Sequence, residues 1–146
     1  MKPDCIFCAI VSGIAPASVL YEDNWTLAFL DINPINPGHT LVIPKRHHQD
    51  LFSIDKPLYQ KLADTTRLMA QAVQTALQPA GLNIFQANGV AAGQTVFHFH
   101  NHVLPRYPDD RLHVQLHPQQ PGDLAKQQQK FEPPEAIADA IRQQAK

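Results

Sequence analysis

Apolar and β-branched residues fall in short runs over the first third of the chain, at 17–22, 25–32 and 39–46. They are punctuated by Glu22-Asp23-Asn24 and by Asn33-Pro34-Ile35-Asn36-Pro37-Gly38. Runs of this length bounded by turn formers read as strands, and connections this short predict an antiparallel meander. Ahead of them, residues 5–12 read as a short helix stopped at Gly13, and Pro16 hands the chain to the sheet. The period then changes. Leu58, Leu62, Thr65, Met69, Ala72, Val73 and Ala76 recur at three and four after a helix start at Asp55-Lys56-Pro57. One long helix is predicted, its apolar stripe packed on the sheet and its end before Pro79-Ala80-Gly81. Strands near 82–87 and 96–104 bring the sheet to five, an α+β architecture with one long helix and short terminal ones.

Beyond Pro105 the pattern dissolves into Pro, Gln, Asp and Arg, so 108–132 reads as an irregular surface segment. A terminal helix is predicted from Pro134, with Glu135 in its first turn, Arg142 and Lys146 near its end, and Ile137, Ala140 and Ile141 on one side. His113 and His117 read as solvent-exposed residues without a role. No repeat or linker divides the chain. Residues 1–107 are expected to form the domain, with 108–146 a tail of the same unit.

A length of 146 residues suits one domain with a real core. The net charge of −1 supplies no general field toward nucleic acid or an anionic membrane, so any recognition of phosphate must be local. Met1-Lys2-Pro3-Asp4-Cys5 lacks the apolar core of a secretory signal. No stretch approaches the ~20 apolar residues of a spanning helix, which makes the cytoplasm the expected compartment.

Candidate chemistry concentrates in Gly93-Gln94-Thr95-Val96-Phe97-His98-Phe99-His100-Asn101-His102-Val103-Leu104. In an extended strand, His98, His100 and His102 would share one face at roughly 6.6 Å intervals. A single histidine there would simply face water; three in register build a site. Imidazole can ligate a metal, shuttle protons or attack phosphorus. The only cysteines, Cys5 and Cys8, form a Cys-x-x-Cys pair. A cytosolic setting argues against a structural disulfide, and a thioredoxin-like motif needs a preceding strand for which four residues leave no room. Half of a tetrahedral zinc site is the remaining reading with a mechanism, and His47, His48 and His98 are the candidate imidazoles.

The triad segment resembles the signature of the histidine triad (HIT) family, His-φ-His-φ-His-φ-φ with φ apolar. Phe29-Leu30-Asp31-Ile32-Asn33-Pro34, Pro37-Gly38-His39-Thr40-Leu41-Val42-Ile43-Pro44-Lys45 and Gly93-Gln94-Thr95-Val96 resemble its other blocks, in the family's order and over roughly residues 4–107. Asn101 departs from the pattern; it should point away from the histidines and require only a local packing or hydrogen-bonding adjustment. The resemblance implies a HIT-like fold and a structural zinc held by Cys5, Cys8, His47 and His98, with alternation turning His48 away.

For activity, the resemblance implies release of a nucleoside monophosphate from a phosphoramidate or dinucleoside polyphosphate, without a catalytic metal. His100 would be the nucleophile, with His98, His102 and His39 around it, the last two contacting phosphate or supporting the imidazole. The attacking nitrogen must carry no proton, so its ring partner should donate to a fixed acceptor such as a backbone carbonyl. Gln94 and Thr95 can donate to phosphate, and Asp31 can accept from both ribose hydroxyls. Ile32, with Phe29 or Leu30, would contact a purine base, while Asn88 or Gln86 stands near the position where relatives place an amide. Two other classes stay open: a zinc-stabilised nucleotide-binding module with incidental hydrolysis, and a metallohydrolase using the three strand histidines, which strains the short bonds a metal demands. The resemblance further implies a homodimer paired through the long helix and a strand. In such dimers the tail can reach the partner's site and influence leaving-group choice.

Overall fold

Turn chemistry organises the first half of the sheet. Strand β1 (Val19–Glu22) is joined to β2 (Thr26–Leu30) through Asp23, whose Oδ1 accepts from Trp25 N at 2.7 Å, Thr26 N at 2.6 Å and Thr26 Oγ1 at 3.1 Å. A short carboxylate that gathers local amides in this way favours a turn over continued extension. Strand β2 pairs with β3 (Thr40–Pro44) from Thr26↔Pro44 to Leu30↔Thr40, and Asp31 N donates to His39 O at 2.9 Å at the base of the connection. Gly38 lies at φ +88°, a backbone conformation that L side chains rarely adopt, so the connection calls for glycine.

The computed structural model describes residues 1–110, 112 and 142–144. A short helix, α1 (Ile6–Val11), precedes β1, and the long helix α2 (Lys56–Leu77) follows β3. Asp55 caps α2 by accepting from Leu58 N at 3.0 Å, Pro57 stands in its first turn, and Gln78 closes it in the left-handed conformation. Then come β4 (Gly81–Phe85), a 3₁₀ turn at Val90–Ala92 and β5 (Asn101–Arg106). The sheet is antiparallel throughout, in the order β1-β2-β3-β5-β4. This is the α+β arrangement that the sequence predicts.

Strand alternation gives the sheet two different faces. Leu27, Phe29, Leu41 and Ile43 pack with Cys5, Phe7 and Cys8 on one, while Ala28, Val42 and Val103 pack with Leu62, Met69 and Val73 of α2 on the other. Two hydroxyl ties register the helix: Thr26 Oγ1 to Thr65 Oγ1 at 2.8 Å, and Asn101 Nδ2 donating to Thr66 Oγ1 at 2.9 Å. Asn101 therefore turns toward the helix, away from the histidines, as its position in the motif predicts.

Two expectations need correction. Ala72 and Ala76 are exposed, and Thr66 takes a place on the buried stripe. At about 100° per residue Ala72 rotates off the line through Met69, and Ala76 lies beyond Val73, the last buried residue of the helix. The strand expected over 96–104 begins only at Asn101. Ladder pairing gives way where the backbone is engaged elsewhere: Phe99 N donates to His48 O at 2.6 Å, and His98 O accepts from His100.

Contacts divide the chain into Met1–Arg111 and Leu112–Lys146. In the second unit residues 142–144 are helical and exposed. The expectations for most of the tail, for a helix start at Pro134 and for His113 and His117 fall outside the described residues. No helix among the described residues is long and apolar enough to cross a membrane.

Candidate active site and metal centre

Cys5 caps the N-terminus of α1 and Cys8 lies one turn on, so the short helix presents both thiols to one side. His47 follows the end of β3, and His98 reaches the same point from the segment before β5. Cys5 Sγ and Cys8 Sγ stand 3.4 and 3.7 Å from His98 Nδ1, Cys8 Sγ is 3.4 Å from His47 Nδ1, and the two Nδ1 atoms are 3.3 Å apart. A tetrahedral zinc with bonds of ~2.3 Å to sulfur and ~2.05 Å to nitrogen places sulfur and nitrogen ~3.6 Å apart and two nitrogens ~3.3 Å apart. The four donors match those edges, which is a fit of donor set and geometry together.

The His98 tautomer suits the same role. Its Nε2 lies 2.8 Å from Pro44 O, which can only accept, so the proton is on Nε2 and Nδ1 offers its lone pair to the cluster. Burial pushes the Cys5 thiol up, a tendency that a bound cation would reverse. His48 turns away: its Nδ1 donates to Ser53 O at 2.7 Å and its Nε2 accepts from Arg46 Nε at 3.0 Å.

Next to this centre lies a second set. His100 Nδ1 donates to His98 O at 2.7 Å, which leaves Nε2 without a proton. Phe7 sets its edge against the rings of both His98 and His100, with centroids 5.8 and 5.2 Å away. Ile35 N donates to His39 Nδ1 at 3.2 Å, so the His39 proton lies on Nε2, which faces His102 Nδ1 at 2.9 Å. The proton of His102 is thereby directed to its outer nitrogen, Nε2. Asp31 Oδ2 stands 3.6 Å from His39 Nδ1, while Oδ1 accepts from Asn33 N at 2.9 Å.

Burial keeps this group uncharged. His98 is pushed down to about 4, and His102 down to about 3 by burial and then by the neighbouring imidazoles His100 and His39. His100 and His39 are lowered as well, chiefly by burial, with Asp31 opposing in both. The arrangement can therefore offer a bare imidazole nitrogen beside N–H donors at neutral pH.

Other candidates fall into place unevenly. Ile32 is 79% exposed and Leu30 lies at the surface, but Phe29 is buried against Phe7 and is not available to a ligand. Gln94 is buried; its Nε2 donates to Gln49 O at 2.7 Å and Val96 O at 3.2 Å, and its Oε1 accepts from Gly89 N at 2.7 Å. Neither amide hydrogen is left for phosphate while those bonds hold. Asn88 exchanges amide bonds with Gln86 and accepts from Leu51 N at 2.8 Å, tying two loops together. Thr95 is exposed, beside a shallow cavity shared with Lys2, Cys5 and Phe97.

Sequence reasoning missed Phe85, which stacks on His102 with centroids 4.1 Å apart and planes 8° from parallel. The register Phe85↔His102 causes the stacking. A fifteen-residue connection hides that register from the sequence, because no tight turn fixes the pairing.

The HIT domain family matches the chain over residues 12–109. A HIT family protein from Bacillus anthracis, known from its crystal structure, superposes with a TM-score of 0.85 at 36% identity, covering 100% of both chains. A zinc-bound histidine triad family protein from Mycobacterium smegmatis gives 0.72 at 45% identity, over 80% of this chain and 84% of its own. The Arabidopsis thaliana protein named adenylylsulfatase HINT3 is 38% identical over 112 residues, 77% of this chain and 57% of the relative.

The depressed His102 pKa makes stability depend on acid in a definite direction. An unfolded histidine takes a proton below its ordinary 6.5, whereas folded His102 resists until about 3. The unfolded chain therefore binds more protons, and stability is lost as pH falls from about 6.5 toward 3. Urea midpoints measured from pH 7 to pH 4 should fall less steeply in His102→Asn than in the native chain; equal slopes would remove His102 as a source of acid sensitivity.

Proposed function

The chain belongs to the HIT domain family, and from that premise we propose that it releases a nucleoside monophosphate from a nucleotide conjugate through a nucleotidyl-His100 intermediate. The observation that carries this reading is the 2.7 Å bond from His100 Nδ1 to His98 O, which frees Nε2 to attack. In the first step Nε2 forms a bond to the α-phosphorus, and the bond from phosphorus to the leaving group breaks. The leaving group departs with the electron pair, accepting a hydrogen bond from the neutral His102 Nε2–H and taking a proton from solvent water where it needs one. In the second step water attacks phosphorus, the N–P electron pair returns to Nε2 of His100, and the proton released from water leaves to solvent. One hard displacement becomes two easier ones.

The remaining roles follow by chemistry. His39 holds the His102 tautomer, Asp31 accepts from the ribose hydroxyls, and Ile32 with Leu30 covers one side of a purine. The tied amides shift any donation to phosphate from Gln94 toward Thr95 and the imidazole N–H of His102, while Asn88 acts through loop position. The relative named an adenylylsulfatase supports an adenylyl conjugate as the substrate class. Adenosine phosphoramidate, diadenosine polyphosphate and adenylyl sulfate share the same attacked phosphorus.

Native protein should release AMP from at least one of these three, and His100→Ala should be slower by at least ~10³-fold, the scale on which loss of a nucleophile acts. Equal release by the two forms would remove His100 as nucleophile. No release from any substrate would favour a nucleotide-binding module.

Cys5, Cys8, His47 and His98 would hold zinc in a structural role. When bound it would neutralise the two thiolates and pin α1 to β3 and to the segment carrying His98. Purified protein should contain about one zinc per chain, and Cys8→Ser should lose it together with a large part of the thermal stability. Full stability in a metal-free Cys8→Ser protein would discard the structural role.

A homodimer formed along β4 and α2 is part of the same reading. Strand β4 is a sheet edge, and Tyr59, Ile84 and Phe85 expose apolar surface along it. Sedimentation at micromolar concentration should give twice the chain mass, and Ile84→Arg should shift it to the monomer; a monomeric native chain would end this part of the proposal.

A further inference from the structure

Away from the histidines, a cavity of about 410 Å³ opens between the β1–β2 turn, the end of β3 and the first turns of α2. Its wall is the indole of Trp25, 56% exposed, with Pro57 and buried Leu58 supplying further apolar surface. A large flat side chain left this open beside an apolar floor is unusual for a residue that normally gains from burial. Three cations ring the opening. Lys45 Nζ is paired with Glu22 Oε1 at 2.7 Å and Arg46 with Asp55, whereas Lys61, among the described residues, has no carboxylate partner. With Glu22 and Asp55 engaged by Lys45 and Arg46, and Asp23 engaged by the turn amides, Lys61 is the cation of the lining left unpaired among the described residues.

Structural demands already account for the backbone here. Lys45 N donates to Trp25 O at 2.8 Å, and Asp23 gathers the turn amides. The turn thus needs Asp23, but neither bond requires an indole at position 25, and neither needs the charge at Lys61. The volume lies in the range of small-molecule sites, and a flat apolar wall beside one unpaired ammonium selects both shape and charge.

We propose that this cavity binds a planar aromatic monoanion of about two fused rings, stacked on Trp25 with its anionic group toward Lys61. The site is separate from the His100 chemistry and does not rest on it.

Trp25 is the only tryptophan, so a proton–nitrogen correlation spectrum contains a single indole N–H signal that reports on the cavity. Titration of the full chain with naphthalene-2-carboxylate should move that signal to saturation. Naphthalene-2-methanol, the same ring without charge, should bind at least tenfold more weakly. Lys61→Glu should weaken the carboxylate at least tenfold with an unchanged melting temperature, while Arg67→Glu, a matched change on α2 outside the cavity, should not. An unmoved indole signal, equal binding of the neutral compound, or undiminished binding by Lys61→Glu would each overturn the proposal.

Discussion

His98 is the residue on which the rest of the structure depends, because three separate attachments meet in it. Its Nε2–H is fixed on Pro44 O at the end of β3, its Nδ1 faces both cysteines, and its carbonyl receives the Nδ1–H of His100. The residue is completely buried. A buried imidazole that lost any of these partners would leave a polar group unsatisfied, at a cost of ~1–3 kcal/mol. The bond to Pro44 sets the tautomer, the tautomer turns the Nδ1 lone pair to the cysteines, and that position fixes the carbonyl that orients His100. The cysteine–histidine cluster and the histidine set are therefore one construction, joined through a single backbone unit.

The sheet makes this possible by separating tasks between its faces. On the helix face the requirement is packing, met by Leu62, Met69 and Val73 against Ala28, Val42 and Val103, with Thr65 and Thr66 adding directional ties. Such ties specify one sliding position of a helix whose apolar contacts alone would allow several. On the opposite face, Phe7 and Phe29 pack edge to face at 5.5 Å, and Phe7 meets the rings of His98 and His100. Asn101 belongs to the helix face although it lies between two histidines, and strand alternation is the whole reason.

What could be read from the chain follows the range of the interactions. The meander was legible because Asp23 and the Pro34-to-Gly38 segment act over a few residues, and so was the start of α2 at Asp55 and Pro57. The clustering of Cys5, Cys8, His47 and His98 was legible only through resemblance, since spacing alone left His47 and His48 equivalent; Ser53 O and Arg46 separate them in space. The β5 boundary and the Phe85 stacking were not legible. Both depend on the pairing of segments joined by a long loop, where the hydrophobic pattern is compatible with more than one register. Gln94 and Asn88 show the same limit for polar residues: an amide in a turn reads as a ligand donor until the carbonyls that occupy it are known.

Burial of the imidazoles has a consequence for the proposed attack that is easily mistaken for a weakness. With the histidines uncharged before reaction, the site would hold an anionic phosphate through N–H dipoles and gain little from full positive charges in the ground state. If Nε2 of His100 bonds to phosphorus, however, its ring would become an imidazolium, and the Nδ1–H bond to His98 O would strengthen at that moment. The positive charge would develop beside the phosphoryl oxygens as the transition state is reached, and would be absent from the bound substrate. Interaction energy that appears there and not in the bound substrate is the kind that lowers a barrier. The same desolvation that makes the fold sensitive to acid would thus reserve electrostatic attraction for the step that needs it.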